Sequence, residues 1–172
     1  LTEARIAARQ GKFHLSNRLA NIALDHARRS ELGRLEVAAL RKALQAIIDR
    51  HETLRTSFTA TEGEASQVIA ASVPFDLPIT DVSDSLPERR ITEAQRIAHA
   101  LAEEPFDLTC SPLLRVRLIK LSAEEHLLAI VFHHIVSDGW SVGIFLQELG
   151  TLYQAFCASH ATVLPLLPVQ YA

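Results

Sequence analysis

Residues 124–141, EEHLLAIVFHHIVSDGWS, constrain the fold more than any other stretch of the chain. Leu127 to Phe132 is a continuous apolar run. Its length and the branched Ile130 and Val131 predict a strand buried on both faces rather than a helix. The run ends in His133 and His134. After three intervening residues come Asp138 and Gly139, and then a helical pattern begins. Two imidazoles, a carboxylate and a glycine at the mouth of a buried strand are costly placements, because each polar group needs a hydrogen-bonding partner or access to water.

Three readings of this constellation are open. The first is a metal site of two histidines and a carboxylate, as in some iron and zinc enzymes. Adjacent strand residues point to opposite faces, so His133 and His134 reach one ion only if the strand breaks. No cysteine lies nearby, and His126 sits at the far end of the strand. The second is structural: His133 is a satisfied core residue, and Asp138 caps the following helix. In the third, His134 acts as a general base or a positioning group, since imidazole changes charge near neutral pH. Asp138 then fixes the loop, and Gly139 allows a turn that a side chain forbids.

HHIVSDGWS resembles the HHxxxDG signature of nonribosomal peptide synthetase condensation domains, including the Trp140 and Ser141 that commonly follow it. Other members of the chloramphenicol-acetyltransferase-like superfamily carry HxxxD or HHxxxDG, so a second match is needed to choose the branch. Arg50 to Phe58, RHETLRTSF, supplies it. By chemistry alone Arg50, His51, Glu52 and Arg55 are a solvated helix end, with cations suited to a C-terminus. Over its whole length, however, the segment is similar to the RHExLRTxF motif of condensation domains. LEVAALRKAL, PFDLTCSPLLRVRLIKL and LQELGTLYQAF agree with the family's connecting text, and the resemblance runs from about Gly33 onward. The LTEAR opening is similar to the family's LTEAQ-type start, but only Phe13 stands where an aromatic pair is usual.

Composition bounds the class of the chain. Its 172 residues, 48% hydrophobic with a net charge of −3, fit one soluble globular unit able to bury a core. There is no excess of positive charge to suggest nucleic acid. No apolar run approaches membrane-spanning length, and no signal-peptide pattern opens the chain. Cys110 and Cys157 lack metal-type spacing and are expected to be reduced, packed thiols of a cytoplasmic protein. No methionine is present, so the sequence is expected to be a piece of something longer.

Element by element, the first 20 residues are expected to begin as a helix with Thr2 as cap, and Asn21 to Arg29 to form a first strand of poor alternation. Leu35 to Arg50 is an amphipathic helix. Leu54 to Ala60 and Ala65 to Ala71 read as strands joined at Glu62–Glu64. Pro74 to Pro87 reads as loop, and Pro87 then starts a helix that Pro105 ends. Leu113 to Leu121 is a strand that forms an antiparallel hairpin with the His-bearing one through Ser122 to Glu125. Val142 to Ala158 is an amphipathic helix with Phe145, Leu149, Leu152 and Phe156 on one side.

The resemblance implies an α+β fold (an α/β two-layer sandwich): a chloramphenicol acetyltransferase-like lobe with a mixed sheet covered by helices. Residues 1–172 would be the amino-terminal lobe of a pseudo-dimeric condensation domain, with Tyr171 and Ala172 opening the next family motif. Such domains join an upstream acyl or peptidyl thioester to the α-amine of a downstream aminoacyl thioester. His134 aligns with the residue usually called catalytic, beside His133. Asp138 aligns with a residue that forms a structural salt bridge with an arginine, for which Arg50 and Arg55 are the local candidates. Gly139 keeps room for the substrate arm, and Trp140 and Ser141 complete the motif. No metal and no directly bound cofactor is implied; substrates ride on phosphopantetheine arms. Implied partners are the upstream and downstream peptidyl carrier proteins, the carboxy-terminal lobe and an adjacent adenylation domain. His133–His134 argues against a heterocyclisation domain, and GWS against an epimerisation domain. The alternatives are a non-catalytic carrier-docking module and a free-standing coenzyme A-dependent acyltransferase.

Overall fold

A computed structural model describes residues 6–8, 19–25, 32–61, 64–160 and 164–170. The chain divides into two compact units, one of residues 1–33, 77–105 and 115–132, the other of residues 34–76, 106–114 and 133–172. The strands and helices make an α+β fold, as the resemblance implies.

The first unit is built on a five-stranded mixed sheet. Its strands are β1 (Ile6–Ala8), β2 (Leu19–Asp25), β5 (Ile79–Asp81), β6 (Leu114–Lys120) and β7 (Glu125–Phe132), in the order β1-β2-β7-β6-β5. The expected His-bearing strand is β7, at the centre. Leu128, Ala129, Ile130 and Val131 are all fully buried. That accounts for the unbroken apolar run, since a strand covered on both faces has no solvent side to mark with polar residues. β2 pairs antiparallel with β7 from Leu19↔Val131 to Asp25↔Glu125. On the other side, β6 and β7 are neighbours joined by residues 121–124, too short for anything but an antiparallel hairpin. The Ser122 hydroxyl closes the turn by accepting from the backbone N–H of Glu124 (3.2 Å) and Glu125 (3.1 Å).

Helix α2 (Pro87–Glu103) starts on Pro87, whose missing N–H is no loss in a first turn. It lays Ala94, Ala98, Leu101 and Ala102 into the core and packs against β7.

Two expectations for this unit are corrected. Ile6–Ala8 is a strand, β1, rather than part of a helix, and pairs antiparallel with β2 through Ile6↔Leu24. A three-residue strand carries no periodicity of its own, so only its partner reveals it. Thr2 and residues 26–29 lie outside the described residues. Within the expected Pro74–Pro87 loop sits β5, parallel to β6 with Ile79 opposite Leu118. Its ends are pinned by Leu118 N–H donating to the Pro78 carbonyl (3.0 Å) and Val82 N–H to that of Lys120 (2.9 Å). The Lys120 ammonium also bonds the Asp81 carboxylate at 2.8 Å. Together with Ser83, it holds that carboxyl far below its usual range.

The second unit contains helix α1 (Leu32–Arg50), a 3₁₀ turn at Glu52–Arg55, the antiparallel hairpin of β3 (Thr56–Thr61) and β4 (Glu64–Ile69), and helix α3 (Gly139–Cys157). α1 begins three residues before the expected start. Leu44, Ile47 and Ile48 on it are fully buried, each contributing roughly 1.5–3 kcal/mol by transfer from water. Leu54 belongs to the 3₁₀ turn rather than to β3. α3 also begins three residues early, which brings Gly139, Trp140 and Ser141 into its first turn. It buries Phe145, Leu149, Leu152 and Ala155, whereas Phe156 is only half-buried.

Gly143 lies inside α3, and a Cβ added there meets nothing within 4 Å. Helical glycine costs about 0.5–1 kcal/mol relative to alanine. Gly143→Ala is therefore expected to raise unfolding free energy by about that amount, read as a higher urea midpoint at constant m-value. No helix among the described residues is long and apolar enough to cross a membrane.

Candidate active site

Every residue singled out for chemistry lies in the second unit. His133 follows β7 directly and is half-buried. Its backbone N–H donates to the Leu113 carbonyl at 3.0 Å, carrying the ladder one residue past the strand. Its own carbonyl accepts from Val136 N–H (3.1 Å) and from the Ser137 hydroxyl (3.4 Å). The ring meets Phe106 edge-on, 5.7 Å between centroids. Its Nδ1 accepts from Ile135 N–H at 3.1 Å, which in the neutral ring leaves the proton on Nε2. His133 is thereby fixed at ring and backbone both.

His134 differs in every respect. Its residue is exposed, and among the described residues its side chain has no partner. An imidazole held on a braced loop, free at both nitrogens, can accept a proton or orient a donor brought to it.

The loop's other end is tied by Asp138, the N-cap of α3. Its carboxylate accepts from the backbone N–H of Trp140 (3.1 Å) and Ser141 (2.8 Å). In return Asp138 N–H donates to the Ser141 hydroxyl at 2.8 Å, completing a capping box. Gly139 is the first helical residue, and Trp140 beside it is 81% exposed.

Ser141, first through its backbone N–H and then its hydroxyl, lowers the Asp138 pKa below the usual carboxylate value, with Trp140 N–H adding to it. A depressed carboxylate contributes stability that is complete above the ordinary pKa of about 3.9 and is lost as pH falls through the lower folded-state value. Asp138→Ala should thus lower the melting temperature at neutral pH. The gap to wild type should close on acidification below pH ~4, as followed by circular dichroism melts across pH.

The arginine bridge expected at Asp138 does not form among the described residues. Arg50 ends α1, and its Nε donates to Glu148 Oε1 at 3.1 Å. A second guanidinium nitrogen donates to the Pro165 carbonyl. Arg55 turns to β4, donating to the carbonyls of Ala70 and, at 3.4 Å, Ala71. Its Nε is buried without a partner among the described residues. Asp138 spends its carboxylate on the helix backbone instead.

Two residues outside the expected site join it here. Glu148, on the buried stripe of α3, takes His51 Nε2 on its second oxygen at 2.7 Å. Gln170 bonds the Glu52 N–H (3.2 Å) and the Arg50 carbonyl (2.9 Å). Glu148 carried a readable signal: a carboxylate in register with Phe145, Leu149 and Leu152 sits on an apolar stripe, where it requires a cation. Among the described residues, no three His, Cys, Asp or Glu side chains converge to hold a metal ion.

Residues 29–172 match the family model for the condensation domain, and the chain belongs to that family. A linear gramicidin synthase of Brevibacillus parabrevis is 45% identical over 140 residues, covering 81% of this chain and 2% of that protein. The first condensation domain of the calcium-dependent antibiotic synthetase, solved with a substrate analogue, superposes with a TM-score of 0.74 at 25% identity, over 87% of this chain and 34% of that one. The X-domain of teicoplanin biosynthesis, solved in complex with OxyB, gives 0.75 at 27% identity, over 95% and 33%. The chain therefore spans about a third of the solved chains it resembles and a few hundredths of the synthase.

Proposed function

We propose that this chain is the HHxxxDG-bearing, amino-terminal lobe of a condensation domain in a nonribosomal peptide synthetase. In the assembled synthetase it joins a carrier-bound acyl or peptidyl thioester to the amine of a carrier-bound aminoacyl group. The observation that carries the reading is the contrast between the two histidines: His133 is consumed in holding the loop, and His134 is presented free at its surface.

The reaction needs little beyond alignment and one proton path. The amine nitrogen attacks the thioester carbonyl, a C–N bond forms and the C–S bond breaks. The nitrogen gives up a proton, and the departing pantetheine sulfur takes one up. A thioester is already activated, so holding the two reactants in line supplies much of the acceleration. His134 adds proton transfer, or a hydrogen bond that steadies the amine and the developing oxyanion. Both substrates enter on phosphopantetheine arms, and the partners are the two carrier proteins and the neighbouring adenylation domain.

A second reading has an observation in its favour. The teicoplanin X-domain, similar over nearly all of this chain, is solved bound to another protein, which fits a docking module. The deciding experiment loads a donor carrier with an acyl group and an acceptor carrier with an amino acid, then follows acceptor mass with the parent synthetase. Gain of the acyl mass supports condensation. Carrier binding without transfer across several substrate pairs puts the docking module first. Equal transfer from a coenzyme A thioester points to a free-standing acyltransferase.

A further inference from the structure

Helix α3 contains one charged group on its buried stripe. Glu148 is 9% exposed, between Phe145 and Leu152, where an apolar side chain would pack without desolvating a carboxylate. A buried ion pair is weak evidence for stability, because the cost of removing both charges from water offsets much of their attraction. What such a group supplies more reliably is geometry. Both oxygens of Glu148 are occupied, Oε1 by Arg50 and Oε2 by His51, at 3.1 and 2.7 Å. Arg50 and His51 are consecutive residues at the end of α1, whose backbone is fixed there by His51 N–H donating to the Ile47 carbonyl. Two attachments to one carboxylate set both the rotation of α3 about its axis and its position along it, whereas a purely apolar stripe tolerates sliding by partial repacking.

The same end of α1 holds the chain beyond α3. Arg50 also reaches the Pro165 carbonyl, and Gln170 brackets the 3₁₀ turn by bonding Arg50 and Glu52. The other end of α3 carries the capping box of Asp138 and Ser141, four residues from His134. Glu148 stands ten residues after that cap, about 15 Å along the helix, so it does not touch the reacting atoms. It acts through the helix.

We infer that Glu148 is a positioning residue for His134: through Arg50 and His51 it fixes the register of α3, and the capped first turn transmits that register to the HHxxxDG loop. The inference rests on the proposed role of His134. Misplacement of a catalytic group by about 1 Å can cost roughly 10²-fold in rate, so a modest slip of α3 is enough to matter.

The test is a four-way comparison in the parent synthetase: wild type, His134→Ala, Glu148→Gln, and the double variant. Each is assayed by single-turnover amide formation between loaded carriers. Glu148→Gln is expected to lower the maximal rate roughly 10- to 100-fold, with the carrier KM little changed. In the His134→Ala background the same substitution should have almost no further effect, since there is no imidazole left to place. An equal loss in both backgrounds overturns the inference and leaves Glu148 a fold-stabilising residue, while His134 keeps its role. A His134→Ala protein as fast as wild type overturns the proposed role of His134, and the inference falls with it. Should Glu148→Gln fail to fold, His51→Asn enters the same comparison, as it leaves the Arg50–Glu148 pair intact. Where the His134→Ala background is too slow to read, diethyl pyrocarbonate labelling of His133 decides. Faster modification of that half-buried ring in Glu148→Gln supports a displaced loop, and an unchanged rate overturns it.

Discussion

His134→Ala in the parent synthetase is expected to lower amide formation between loaded carriers roughly 10²- to 10⁴-fold, the range for loss of a positioned general acid–base. Unfolding free energy should stay within about 0.5 kcal/mol of wild type, as for surface substitutions away from structural features. The separation follows from the loop. His134 is exposed, has no hydrogen-bonding partner among the described residues, and can leave without uncovering a buried group. His133→Ala should behave differently. It removes the acceptor for Ile135 N–H and the edge-on contact with Phe106, so stability and activity fall together. A His134→Ala loss below tenfold, with a pH–rate profile unchanged through the imidazole range, would mean that the side chain orients the amine and that proton transfer lies elsewhere.

The two motifs were legible because each is read locally. Leu127–Phe132 declares a doubly covered strand by its lack of alternation, and β7 is that strand. Asp138 declares a helix cap by its type, and it does cap α3, although the helix begins at Gly139 rather than Val142 and Ser141 completes the box. The residues that escaped were those whose role depends on distant partners. β5 is three residues in a polar stretch and exists through pairing with β6, some 40 residues on. β1 is equally short and is likewise revealed by its neighbour β2.

The arginines of RHETLRTSF show the same limit in the site. Cations at the end of α1 were evident, but which carboxylate they meet is decided by the crossing of α1 and α3. Asp138 and Glu148 both lie C-terminal to the strand as candidates. The cap resolves the choice: Asp138 is committed to the helix N–H groups, and Glu148 is the carboxylate left facing the core.

That assignment leads to a large stability effect expected in the second unit. Arg50→Ala should destabilise it by about 2–3 kcal/mol, read from the urea midpoint, because it strands a carboxylate whose side chain is only 11% exposed and removes the bond to Pro165. Removing one partner of a buried pair usually costs 3–5 kcal/mol; the lower figure reflects the water that still reaches Arg50, 18% exposed, and the remaining bond from His51. Replacing both partners separates stability from register. Arg50→Met with Glu148→Leu fills the site with apolar side chains and should recover most of the lost stability, since well-packed hydrophobic replacements of ion pairs are often neutral or better. Amide formation should not recover with it, because the apolar pair no longer fixes α3 at two points. A double variant that regains both stability and rate would show that packing alone places the loop.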